Sequence, residues 1–91
     1  MAARVMSSGV KSADVAIKAG SGVVHWITIC AADASVVGIA DSTTNSTTYI
    51  WEASMAAAGD FHAVFAPALQ CDSGIWLDVL SGTVVVTVGY L

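Results

Sequence analysis

Two histidines and two cysteines, His25, His62, Cys30 and Cys71, are the residue types in this chain best suited to holding a metal, because imidazole and thiolate are the usual ligands of zinc. Their spacing does not make a site. There is no Cys-x-x-Cys or His-x-x-x-His unit, and on an extended strand Cys30 and His25 point to opposite faces. Nucleophilic catalysis would need a serine or cysteine beside a histidine held by a carboxylate. The run Asp60-Phe61-His62 and the many serines supply those types, yet no nucleophile elbow or glycine-rich oxyanion loop accompanies them. Seven scattered acids define no carboxylate pair for glycoside cleavage. A chain of 91 residues also has little room for the deep pocket an enzyme uses. The expectation is a protein without catalytic residues, cofactor or metal, and not an enzyme.

The cysteines are too few for a disulfide framework, and in a cytoplasm both stay reduced. Each reads as a small buried hydrophobe. The order Cys30, Trp51, Cys71 has a superficial likeness to an immunoglobulin domain, but Cys71 falls in a turn ahead of its strand. The sequon Asn45-Ser46-Thr47 reads as a polar loop tip, because no secretory leader is visible in the first twenty residues.

The elements that would carry these residues are strands. Turn-forming clusters recur at 20–22, 32–35, 41–48, 56–60, 67–74 and 81–82, and the segments between them alternate with period two. Val15 and Ile17 share one face, as do Tyr49, Trp51, Ala53 and Met55, and Phe61, Ala63 and Phe65. Helical readings fail, since the alanines at 56–58 form too short a run. The pattern predicts an all-β protein, an antiparallel β-sandwich, jelly-roll-like or immunoglobulin-like, of about six to eight strands. Residues 1–12 are expected as a flexible N-terminal arm and 13–91 as one sandwich domain.

In "GIWLDVL" the carboxylate of Asp78 is costly to bury, which turns its face outward and carries Trp76 and Leu80 with it. In the terminal "GTVVVTVGYL" the core set is Val84, Val86, Val88 and Tyr90, leaving Val85 outside. Together with Trp26 these residues are expected to form one continuous outer apolar patch. A strand this apolar must be covered. The patch Trp76, Leu80, Val85 and Trp26 is therefore the predicted contact surface.

Only 11% of residues are charged, and they are unevenly placed. Arg4, Lys11 and Lys18 are the three basic residues, and beyond Lys18 there are six acids and no base. An acidic body repels phosphate backbones, which argues against nucleic acid. The apolar runs fall short of the roughly 20 residues that span a bilayer, which argues against a membrane partner. Arg4 and Lys11 are expected to add a charged contact to an acidic neighbour.

The segments "VAIKAGSG", "VVHWITICA", "VVGIADSTTNSTT" and "FHAVFAPALQCDSGIWLDVLSGTVVVTVGYL" follow one another in an order that resembles a recurrent type of small structural protein of tailed bacteriophages. The likeness runs from Val15 to Leu91; the chain departs from the pattern in lacking an acidic C-terminus and in carrying Trp26 where a small residue is usual. The resemblance implies a virion protein assembled in the host cytoplasm, a head decoration (cement) protein or a neck, tail or fibre component. It also implies a homo-oligomer, a trimer, bound to the major capsid protein or other virion proteins. Two other classes fit the same fold: a carbohydrate-binding module using Trp26, Trp51 or Trp76 as a stacking platform, and a cellular adaptor domain.

Overall fold

The computed structural model describes residues 5–91, so Arg4 lies outside the described residues. The chain is all-β, as the period-two pattern predicts. Its strands are β1 (Met6–Ser7), β2 (Val15–Ala19), β3 (Gly22–Ala31), β4 (Ser35–Asp41), β5 (Tyr49–Met55), β6 (Gly59–Cys71), β7 (Gly74–Ser81) and β8 (Val84–Tyr90). They form two four-stranded antiparallel sheets, ordered β1-β8-β3-β6 and β2-β7-β4-β5, packed into a sandwich.

The connections explain the order. β1 leads to β2, β3 to β4, β5 to β6 and β7 to β8, and each short link crosses from one sheet to the other. β2–β3 and β6–β7 cross as well, so only β4–β5 stays within one sheet; the edge strands are β1 and β6 in one sheet and β2 and β5 in the other. Between the sheets lie Val24, Ile27 and Ile29 of β3, Val37 and Ile39 of β4, Ile75 and Leu77 of β7, and Val84, Val86 and Val88 of β8, all buried. β-Branched side chains dominate this set, as suits a pleated, two-sided core.

The terminal strand β8 is interior to its sheet. One edge pairs with β3, from Val24↔Tyr90 to Ala31↔Val84. The other is covered by the N-terminal segment: Met6 pairs with Tyr90, the Ser8 N–H donates to the Val88 carbonyl at 2.8 Å, and Lys11 exchanges two backbone hydrogen bonds with Val86 at 2.8 and 2.7 Å. The described part of the segment expected as an arm thus runs along β8.

Bulges alter the simple alternation. In β3 the register shifts between Val24 and Trp26, which puts Val24 in the core with Ile27 and Ile29 and turns Trp26, Thr28 and Cys30 outward. In β5 a shift opposite Ile39 and Ala40 separates Tyr49 from Trp51, so Tyr49 leaves the face it was expected to share with Trp51, Ala53 and Met55. An extra residue in one strand sends the positions beyond it to the other face.

Candidate functional site

The residue types singled out for chemistry are dispersed. Cys71 is fully buried, and its thiol is pushed up to about 11, mainly by burial and then by Asp41 and Asp72. Cys30 is exposed, which corrects the expectation that both cysteines are buried: it alternates with the core residue Ile29 and so falls on the outer face, opposite Asp60 of β6. His62 also faces outward from β6, with its Nδ1 2.7 Å from the Thr28 hydroxyl. Among the described residues no three His, Cys, Asp or Glu side chains are grouped as a metal would require, and no enclosed cavity is present.

The predicted contact residues do not form one patch. Trp76 and Leu80 stand on the outer face of the β2-β7-β4-β5 sheet, whereas Trp26 and Val85 stand on the outer face of the other sheet. The reason is that β7 and β8, adjacent in sequence, cross between sheets. Asp78 shares an outer face with Trp76 and Leu80, as its charge suggested, but it is only 6% exposed, not solvated. Tyr49 donates a hydrogen bond to Asp78 Oδ2 and lies across Gly38, where a Cβ would come within 2.7 Å of its ring. Burial raises the Asp78 pKa, with Asp14 adding to the rise and the Tyr49 hydrogen bond opposing it. The Tyr49 phenol is pushed up to about 12, first by that hydrogen bond and then by burial. Trp76 is flanked by Ala16 and Ala40, and its Nε1 is buried without a hydrogen-bond partner. This outer face is largely covered by its own aromatic side chains.

Leu80 and Val85, each 42% exposed, lie at one end of the sandwich on either side of the turn through Gly82, on opposite outer faces. Three sheet-to-sheet links gather there: 32–34, 56–58 and the β7–β8 turn. Ala32, Ala34, Ala56, Ala57 and Ala58 are exposed in them. The Asp33 carboxylate is used internally, accepting from the Thr83 N–H at 2.8 Å and the Ser35 hydroxyl at 3.1 Å. These three links are thus alanine-rich, backbone-braced and without Lys or Arg, while the fourth link at this end, 8–14, carries Lys11. At the opposite end Asp41 braces the β6–β7 turn, accepting from the N–H groups of Asp72 at 3.0 Å, Ser73 at 2.8 Å and Gly74 at 3.3 Å. These bonds, Asp72 and Ser73 foremost, hold its carboxyl below the ordinary value. Sequence reading did not identify the alanine-lined end, because its parts come from three separate turns that only the topology joins.

Trp26 lies across Gly89 of β8, where a Cβ would stand 2.6 Å from the indole Cδ1 and closer still to Nε1 and Cε2. The His62 ring is 6.3 Å away, centroid to centroid. Trp51 instead packs between the sheets, 5.5 Å from Phe65 and 6.0 Å from Phe61. Comparison of the chain with protein-family models, with curated proteins and with solved structures returns no match.

Proposed function

We propose that this protein is a structural subunit of a tailed-bacteriophage particle, a head decoration (cement) protein that works as a homo-oligomer bound to the shell; neck, tail or fibre positions are the variants within the same reading. The observation that supports it best is the alanine-lined end carrying Leu80 and Val85. An exposed apolar end whose Asp33 carboxylate is taken up by the Thr83 N–H, on a chain with so few charges, suits burial against a larger protein surface. The strand and turn order that resembles small phage structural proteins gives the class. Purified protein added to heads that lack it tests the reading. Leu80→Asp/Val85→Asp keeps its circular dichroism spectrum and loses occupancy by about tenfold or more. Equal occupancy of variant and wild type would remove this end from the contact and the proposal with it.

One observation favours a second reading, a carbohydrate-binding module. Trp26 lies on an outer sheet face beside polar side chains, Thr28 and His62, and an indole seated on the backbone in this way can stack on a sugar ring. Binding to immobilised glycans that Trp26→Ala abolishes would favour this reading over the first.

A further inference from the structure

The topology puts opposite charges on the two lateral sides of the sandwich. On the β1/β2 side lies Lys11, and the half-buried Lys18 of edge strand β2 folds its side chain over Gly22 of β3; these are the only Lys or Arg among the described residues. The one acid there, Asp14, is engaged, its Oδ1 accepting from the Val79 N–H at 2.7 Å. On the β5/β6 side lie Glu52 and Asp60, both exposed and with no Lys or Arg in either strand. Exposed apolar side chains follow the same division. Of the seven large hydrophobics exposed among the described residues, five stand on these sides: Val5, Met6 and Val10 at 70% on the first, Ile50 and Val64 at 68% on the second. Both sides end in edge strands, whose outer backbone groups are open to pairing.

We infer that copies of this chain associate side to side and head to tail, the β1/β2 side of one against the β5/β6 side of the next. The partner is a second copy because the two sides complement each other in charge and both present apolar side chains and a free edge. Two like sides would instead face each other with like charge, so a two-fold dimer through either is disfavoured. A contact between unlike patches is heterologous; it closes into a ring or propagates as a filament. This holds whether or not a shell binds the other surface, and the solution state of the isolated protein tests it separately.

The test uses the full chain in sedimentation velocity and light scattering. Wild type associates, and salt weakens the association, since the attraction between exposed charges is screened. Two charge-reversed variants, Lys11→Glu/Lys18→Glu and Glu52→Lys/Asp60→Lys, each lose self-association by about tenfold or more. Mixing them restores it, because each reversed side then meets a side of opposite charge on the other variant. Circular dichroism confirms that each variant is folded, and Lys11→Glu alone stands in if Lys18→Glu unfolds. A wild-type monomer at high concentration, variants that associate as wild type does, or a mixture that stays dissociated would overturn the inference.

Discussion

Replacing Gly89 by alanine tests the close seat of Trp26 on β8. The backbone there is not in the left-handed region, so the added methyl meets no conformational strain of its own. It meets the indole: at 2.6 Å from Cδ1 and closer to two further ring atoms, it overlaps side-chain atoms that need about 3.5–4.0 Å. β8 is held between β1 and β3 and cannot yield, whereas Trp26 is on the outer face and can lift by roughly 1–1.5 Å, the difference between these separations. Small-to-large changes of this kind cost about 1–3 kcal/mol, and partial relief on an open face puts Gly89→Ala near 1.5 kcal/mol. In a Trp26→Ala background the obstacle is gone. There the same substitution is neutral or gains about 0.5 kcal/mol, because glycine weakens a strand interior. The coupling is the difference, about 2 kcal/mol, well above the additivity error of roughly 0.5 kcal/mol. Urea unfolding of the four proteins, followed by circular dichroism, measures it, and tryptophan fluorescence reports whether the indole has moved. Equal costs in both backgrounds would refute the packing argument.

Three further outcomes are expected. Asp41 and Asp78 shift stability with pH in opposite senses: the lowered Asp41 pKa gives stability that is present above about pH 4 and lost as pH falls through its folded value, while the raised Asp78 pKa gives stability that is full below about pH 4 and lost as pH rises through its folded value. Urea midpoints across this range should show Asp41→Asn removing the first dependence and Asp78→Asn the second. Deleting residues 1–11 should leave the sandwich folded but open one edge of β8, so that thioflavin fluorescence rises on incubation above that of wild type. A thiol reagent should modify Cys30 in the folded protein, slowly because burial and then Asp60 raise its pKa, and reach Cys71 only after unfolding.

Much of the fold was legible because alternation is a local property. Val84, Val86 and Val88, and Phe61, Ala63 and Phe65, face the core as their period-two spacing requires. What was not legible depends on single inserted residues and on which sheet each strand joins. The bulge after Val24 brings Val24 onto the core face of Ile27 and Ile29, and nothing in "VVHWITICA" marks the position. Asp78 was placed on the correct face by its charge, yet its burial depends on Tyr49, distant in sequence and turned outward by a second bulge. The supposed patch of Trp76, Leu80, Val85 and Trp26 failed because facing outward is a local property, whereas sharing an outer face is decided by the β7–β8 crossing. The charge division between lateral sides was visible as an asymmetry along the chain, but its spatial meaning requires the pairing of β1 with β8.

The interior place of β8 has a kinetic consequence. Its sheet is assembled from contacts such as the hydrogen bond of the Val88 N–H to the Ser8 hydroxyl, between residues 80 positions apart. While a ribosome is still extending the chain, β3 and the N-terminal segment are already made, but the strand that must lie between them is absent. The two-sheet core therefore cannot close until β8 has been made, and the nascent chain carries an open β3 edge up to that point. Topologies dominated by such non-local pairing fold in milliseconds to seconds and expose aggregation-prone intermediates. Closure of the core waits on β8 finding the gap between β1 and β3.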